Sequence, residues 1–449
     1  MKKKYNTIIS VSKIIVDKLF GLYDYTLPRS INSDIKKLMI VYGDNGSGKT
    51  TILKLFFYLL STRDRSGYKS RIAETKFQKF AVVFQNGIEI GAQREKPSIG
   101  TYEFYIARKG KKIKSLSLKA AADNAINIES GSKDYFVYQE MLEFIRQLNI
   151  TTFYLSDDRK ILNSLTSNIN EPDERDILFN DSDIIFSKKY ERIEIKKIMN
   201  EKRLALEPTI ERLIDWIRNK IISGSRMGEK NSQVIFSDII KNYIKLSESE
   251  SRLKDEDSIL KELIELENKI PIYVVMGLID ELDTKGIRNS IKKAKTDEQI
   301  KFLSTVISPF LESVNAKLNA LEYVVRTINL FLETVNGYFT NKIVNFHLSK
   351  GFTLSQTNDG EIIDFNWLSS GEKQLLLLLI NTITSADDAT IFIIDEPEIS
   401  LNIKWQRKLI KTLLDFSAEK NIQFILATHS FELLSAYKNS ITKLESDNA

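Results

Sequence analysis

The sequence of 449 residues contains no cysteine and only two histidines, His347 and His429. That excludes disulfides, thiol nucleophiles and cysteine-ligated zinc, and it leaves a single histidine pair for any two-histidine metal motif. Chemistry in this chain must therefore rest on carboxylates, lysine, a lone histidine and a hard cation such as magnesium. Long apolar runs are lacking too: the longest, 375–380, falls far short of the ~20 residues that a membrane span needs. The opening residues, Met1, Lys2, Lys3, Lys4 and Tyr5, lead into mixed sequence rather than an apolar leader, so a cytoplasmic chain without a membrane partner is expected. Nor is there a strong charge of one sign. Lys plus Arg number 65 against 60 Asp plus Glu, a net +5, which neither demands nor excludes nucleic acid. Lys109, Lys111, Lys112 and Lys114 could meet phosphates or form a solvated turn.

What is present suggests two units. Short β-branched and aromatic runs within 8–27, broken by Gly21 and closed by Pro28, read as two antiparallel strands. A buried strand at 38–42 precedes an apolar helix at 51–60, and 80–84, 88–90, 102–106 and 113–118 read as meander strands. From 160 to 345 the chain is charged and largely helical. Ile210, Leu213, Ile214 and Ile217 share one helix face. Leu311, Val314, Leu318, Leu321, Val325, Ile328, Leu332 and Val335 recur in alternate steps of three and four, a coiled-coil seam. That seam serves either as the core of a bundle or as a contact between copies. Pro208, Pro271 and Pro309 are expected to interrupt the helices around it, giving a bundle or short stalk. From 346 the α/β pattern returns, with helices at 375–383 and 405–416 and strands at 391–394 and 424–427. The expected divisions are therefore 1–159, 160–345 and 346–449, an α/β domain split by a helical insertion.

Three motifs carry chemistry. Gly43, Asp44, Asn45, Gly46, Ser47, Gly48, Lys49, Thr50 and Thr51 follow a strand and open a helix, the setting in which such a loop cradles phosphates. Its glycines let backbone N–H groups face phosphate oxygens. Lys49 would reach the β and γ phosphates of ATP, and the Thr50 hydroxyl would bind magnesium. A buried strand ends in Asp395 and Glu396; adjacent desolvated acids suit a magnesium ligand, Asp395, beside a residue that polarises the attacking water, Glu396. Leu368, Ser369, Ser370, Gly371, Glu372, Lys373 and Gln374 read as a helix cap or as an anion-binding helix start. Tyr23 and Tyr25 could stack on adenine or belong to the sheet.

The last motif resembles the LSGGQ signature of ABC ATPases, with Ser370 in place of the first glycine of the transporter pattern. The resemblance implies an α/β, ABC-type P-loop ATPase head, a split mixed sheet with an antiparallel β-subdomain, carrying a helical or coiled-coil insertion. It further implies that Ser369, Ser370, Gly371 and Glu372 act in trans on nucleotide held by a second copy, so that a homodimer sandwiches ATP. It makes Ser400, Leu401 and Asn402 the D-loop, although relatives often carry His at the position of Asn402. It makes His429, after the strand at 424–427, the switch histidine. The Q-loop falls on 156–159, with Asp157, Asp158 and Arg159, or else on Gln85. Both ends of the chain, roughly 8–160 and 345–440, are similar to the SMC, Rad50, RecF and OLD branch. The lack of cysteine speaks against a Rad50-like zinc apex. Twenty residues follow His429, so a nuclease is expected on another chain. The blocks 368–374 and 395–401 look like those of stand-alone anti-phage ATPases. Within these, the PARIS type implies a homo-oligomeric sensor that holds a TOPRIM nuclease and releases it when a phage protein binds. The Septu type, paired with an HNH nuclease, and a DNA repair or recombination ATPase are the alternatives.

Overall fold

Residues 38–42, 152–155, 391–395 and 423–428 are apolar almost without alternation, the pattern of strands covered on both faces. In the computed structural model, which describes residues 10–28, 37–63, 66–157, 161–163, 206–223, 256–385, 390–418, 420–435 and 437–445, they form one sheet. Its strands are β3 (Leu38–Tyr42), β8 (Thr152–Leu155), β9 (Ile161–Asn163), β13 (Ile391–Asp395), β14 (Gln423–Thr428) and β15 (Ile441–Lys443), in the order β15-β3-β14-β13-β8-β9. All pairs are parallel except β8 with β9. The carboxyl ends of β3, β14, β13 and β8 therefore lie along one edge.

A second six-stranded sheet, wholly antiparallel, has the order β2-β1-β4-β5-β6-β7, from β1 (Val11–Leu19), β2 (Tyr23–Leu27), β4 (Phe77–Phe84), β5 (Ile88–Ser98), β6 (Tyr102–Arg108) and β7 (Lys111–Leu118). Helix α1 (Lys49–Leu60) shares one apolar core with residues of both sheets: Ile52, Leu53, Leu55, Phe56, Phe57, Leu59 and Leu60 are all buried. Thr51, Lys54 and Tyr58 form its half-exposed face, the polar side of an otherwise apolar helix. Two cations, Lys69 buried and Arg94 half-buried, tie this core to backbone. Lys69, on α2 (Tyr68–Glu74), donates to the carbonyls of Tyr58, Leu59 and Ser61 at the end of α1. Arg94 donates to those of Ile72, Ala73, Thr75, Phe77, Gly100 and Thr101. Helix α3 (Lys133–Gln147), which buries Tyr138, Met141, Leu142 and Ile145, completes this part.

The chain divides into two compact units, 1–205 with 369–449, and 206–368. The second is helical: α4 (206–223), α5 (Glu256–Val275), α6 (Thr284–Lys293) and α7 (Asp297–Tyr338). The coiled-coil seam lies on α7. Leu311, Leu318, Leu321, Val325, Ile328 and Val335 are buried within the single chain, so these positions are bundle core. Tyr273 of α5 donates its hydroxyl to the Leu318 carbonyl, and Trp216 of α4 meets Tyr323 edge-on.

Two expectations need correction. Pro271 and Pro309 do not interrupt their helices; both lie inside them. Burial of Ile270 and Tyr273 around the first, and of Ile307 and Leu311 around the second, outweighs one lost hydrogen bond in helices of 20 and 42 residues. Pro208 sits in the first described turn of α4, where a missing N–H costs little. The return of β structure does not mark the end of the insertion either. Strands β10 (Lys342–His347), β11 (Gly351–Gln356) and β12 (Ile362–Ile363) form their own three-stranded sheet. Asn336 of α7 fastens it, donating to the Val344 carbonyl and accepting from the Val344 N–H. The compact division therefore falls at 368/369 rather than 345/346.

Candidate functional site: a phosphate loop, two acids and a histidine at one sheet edge

The turn after β3 needs left-handed backbone at Gly46 (φ 83°) and Gly48 (φ 90°), which glycine adopts without strain. At Gly48 a Cβ would also come within 2.7 Å of Leu19 Cδ2. The Ser47 N–H donates to the Asp44 carbonyl at 3.2 Å, and the Tyr25 hydroxyl donates to the Ser47 carbonyl at 3.1 Å. Lys49, the first residue of α1, is buried. Its Nζ donates to the carbonyls of Gly43 (2.8 Å) and Asp44 (3.1 Å) and lies 3.9 Å from Glu396 Oε1. Thr50 and Thr51 follow in the first turn of α1, where unpaired N–H groups and the helix dipole favour an anion.

Asp395 closes β13 and is fully buried. Burial pushes its carboxyl above the usual carboxylate range, and Asp157 adds to the rise; hydrogen bonds from Thr50 and Tyr154 and the charge of Lys54 oppose it. The Tyr154 hydroxyl lies 3.3 Å from Oδ2, while Oδ1 is buried with no hydrogen-bond partner. An unsatisfied, desolvated carboxylate oxygen beside a threonine hydroxyl is chemistry that fits a hard divalent cation. Magnesium held by Asp395 and Thr50 would supply neutralisation of phosphate charge.

Glu396 turns out of the strand in left-handed conformation (φ 46°), its N–H donating to the Ala427 carbonyl. Its carboxyl is pushed up to about 7, by burial first and by Glu398 second, against the opposing pull of His429. His429 follows β14 with its ring exposed, and Nδ1 lies 2.5 Å from Glu396 Oε2. Sequence reasoning missed Glu398. It is buried, and its Oε1 accepts from the Thr428 hydroxyl and from the N–H groups of His429 and Ser430, both at 3.2 Å. A second acid three residues past Asp395 was the available signal, but its partners lie thirty residues on.

The signature opens α8 (Ser370–Ser385). Ser369 and Glu372 cap it reciprocally: the carboxylate accepts from the Ser369 N–H (2.7 Å) and hydroxyl (2.8 Å), and the Glu372 N–H donates to that hydroxyl at 3.3 Å. Ser369 and Ser370 are exposed. Gly371 is buried, and a Cβ there would meet the Ser400 carbonyl oxygen at 2.5 Å, so the close approach this glycine permits is to the D-loop. Ser400 itself is left-handed (φ 63°), and Leu401 is buried. Asn402 caps α9 (Ile403–Phe416), accepting from the Trp405 N–H at 3.0 Å.

Of the Q-loop candidates, Asp157 follows β8 and acts on Asp395, whereas Asp158 and Arg159 lie outside the described residues. Gln85 is placed elsewhere. Its N–H donates to the Ser10 carbonyl, and the adjoining Val11 is held by the side chain of Gln423 at the start of β14, the edge opposite to Thr428. Tyr23 and Tyr25 stack on each other, and Tyr25 is buried with its hydroxyl committed to the loop. An exposed apolar side chain beside Gly48 is that of Phe20, in the β1–β2 turn.

A phosphate loop after β3, an acid closing β13 with a second just past it, and a histidine just past β14 give the layout of a P-loop ATPase domain. The model of the family described as "AAA domain, putative AbiEii toxin, Type IV TA system" matches residues 38–435, and the chain belongs to that family. Among curated proteins it is similar to the Retron Ec83 probable ATPase of Escherichia coli, 27% identical over 199 residues, which cover 38% of this chain and 34% of that protein. It is also similar to the Retron Vc95 probable ATPase of Vibrio cholerae serotype O1 biovar El Tor, 29% identical over 211 residues, covering 43% and 35%. The chain thus spans about a third of the length of these relatives. Among solved structures, the Smc head domain with an extended coiled coil bound to the C-terminal domain of ScpA, derived from Pyrococcus furiosus, matches over 95% of this chain and 91% of its own at 14% identity and a TM-score of 0.38. The Smc head domain with a coiled coil and joint derived from Pyrococcus yayanosii matches over 95% and 93% at 14% identity and 0.36. No described helix is long and apolar enough to cross a membrane.

Proposed function

We propose that this chain binds and hydrolyses ATP with magnesium, and that a second copy completes the site. The observation that carries the reading is the convergence of Lys49, Thr50, Asp395, Glu396 and His429 at the carboxyl ends of adjacent parallel strands. Lys49 would exchange its loop carbonyls for phosphate oxygens. Glu396, raised toward neutrality, would take the proton of the attacking water, and His429 would hold that carboxylate in place while facing the γ-phosphate. Ser369, already exposed at a helix start, would serve the nucleotide of the partner copy. The test is Glu396→Gln. It should bind ATP, lose turnover by about two orders of magnitude or more, and accumulate as ATP-bound dimers in size-exclusion chromatography with light scattering. Wild-type turnover by this variant would sink the reading.

The biological role we infer is that of sensor and scaffold in a bacterial anti-phage system, holding a nuclease effector of TOPRIM type on a separate chain and releasing it when a phage-encoded protein binds. The similarity to retron ATPases supports a defence role, and the reading of effector and trigger rests on the resemblance of the 368–374 and 395–401 blocks. Copurification from the native operon, with and without infection, tests it: a nuclease bound before infection and lost after it is expected. Turnover stimulated by DNA with a steep salt dependence, and no nuclease partner, would move the assignment to recombination.

A further inference from the structure

Glu398 is an acid that the proposed reaction leaves without a task, although it is 4% exposed and sits beside both groups assigned to chemistry. Its Oε1 collects three donors from consecutive residues, the Thr428 hydroxyl and the N–H groups of His429 and Ser430. Three further hydrogen bonds close a circuit through it. The Ser430 hydroxyl donates to Gln406 Oε1 at 2.7 Å, Gln406 Nε2 donates to the Leu401 carbonyl at 2.9 Å, and the Leu401 N–H donates to the Glu398 carbonyl at 2.9 Å. The ring therefore joins the turn after β13, the start of α9 and the loop that carries His429. The same Oε1 lies 3.7 Å from His429 Nδ1, so one accepting oxygen fixes the backbone on which that ring is carried.

We propose that Glu398 and Gln406 are positioning residues that lock His429 to the 400–402 segment of the same chain, so that the histidine can meet Glu396 and nucleotide only when that segment is in place. The segment is also where Ser400 meets Gly371 at the start of α8. The circuit thus runs from the signature helix to the switch histidine without leaving the chain. A movement of residues 400–402 would be passed to His429 through two hydrogen bonds of Gln406, rather than through the strands.

This inference rests on the ATPase reading, and one experiment separates the two. Turnover of ATP would be measured as kcat and KM for wild type, His429→Ala, Glu398→Ala, Glu398→Gln, Gln406→Ala and the Glu398→Ala/Gln406→Ala double variant, with affinity for a fluorescent ATP analogue in parallel. Glu398→Ala should lose about 10- to 100-fold in kcat with affinity changed less than about threefold. Glu398→Gln, which keeps the accepting oxygen, should recover most of that loss. The double variant should be no slower than the worse single one, because both break the same circuit; independent structural damage would multiply. Multiplying effects, affinity falling in step with kcat, or wild-type turnover in both Glu398→Ala and Gln406→Ala would overturn the proposal. Should Glu398→Ala fail to fold, Glu398→Gln and Gln406→Ala carry the same test, with reduced kcat at intact affinity in Gln406→Ala required. Full turnover in His429→Ala would overturn it too, since the residue being positioned would then have no part in turnover; absence of turnover in the wild type would instead sink the ATPase reading itself.

Discussion

Gly371→Ala is the smallest change that tests how the signature and the D-loop depend on each other. The added Cβ would sit 2.5 Å from the Ser400 carbonyl oxygen, below the 3.0 Å that real Cβ contacts respect. The obstacle is backbone, and backbone already in left-handed conformation at Ser400, so neither side yields by a rotamer change. Relief requires the start of α8 and residues 400–402 to separate by roughly half an ångström or more, an overpacking strain of about 1–3 kcal/mol. For a unit of this size that lowers Tm by about 2–10 °C. The functional effect should be larger, since displacements of about 1 Å in a reacting assembly cost up to about 100-fold in rate. Differential scanning calorimetry and a coupled-enzyme ATPase assay would follow both quantities, with the neighbouring exposed Ser370→Ala as the control for a change at the helix start away from Ser400. An unchanged Tm together with unchanged turnover would refute the close-approach argument. A loss in Ser370→Ala equal to that in Gly371→Ala would show that sensitivity of the helix start in general, and not the Ser400 contact, is responsible.

The carboxyl of Glu396 in the folded chain is raised from 4.5 to about 7, so between those values the folded state holds a proton that the unfolded state has lost. Stability contributed in this way is present at low pH and lost as pH rises through 7. Without nucleotide, Glu396→Gln should therefore melt above wild type at pH 8, with the gap closing toward pH 5; equal melting at pH 8 contradicts the assignment. Arg94→Met takes a donor from six carbonyls, of which those of Ile72 and Ala73 keep the N–H groups of Thr75 and Gly100, and should cost about 2–4 kcal/mol in urea denaturation of the head; Arg94→Lys should recover little because an ammonium cannot span the same fork, and full stability of the lysine variant would refute this. Tyr25→Phe removes the hydrogen bond to Ser47 and should weaken ATP binding by up to about fivefold, near 1 kcal/mol, with stability almost intact; unchanged affinity would mean the loop keeps its shape unaided.

Those predictions separate what the linear sequence carries from what it conceals. Gly43 to Thr51, Asp395, Glu396 and His429 were legible because each sits in a short run whose strand or helix context can be read beside it. The seam on α7 was legible as a period, but a period does not say what covers it, and burial of Leu318 and Val335 within one chain was needed to place it in a bundle core. Pro271 and Pro309 misled because helix-breaking is a local cost and the packing that overcomes it is not local. Glu398, Gln406 and Arg94 were invisible for the same reason: their partners are distant in sequence, or are backbone carbonyls that no residue type advertises. Gln85 had the right residue type at a strand end, yet only the pairing of β1 with β4 reveals which end of the molecule that strand reaches.

The order of strands in the parallel sheet also says something about how the chain is made. β3 takes its neighbours from β14 and β15, with Leu38 opposite Phe424 and Ile40 opposite Ile441, so the strand that leads into the phosphate loop waits nearly four hundred residues for its partners. At about 5–20 residues per second on the ribosome that is a delay of roughly 20–80 s. The contiguous helical unit emerges complete within that interval and can fold first. The loop after β3 would gain its full setting only once synthesis has passed β15, so a nucleotide held there would report that both flanking strands are in place.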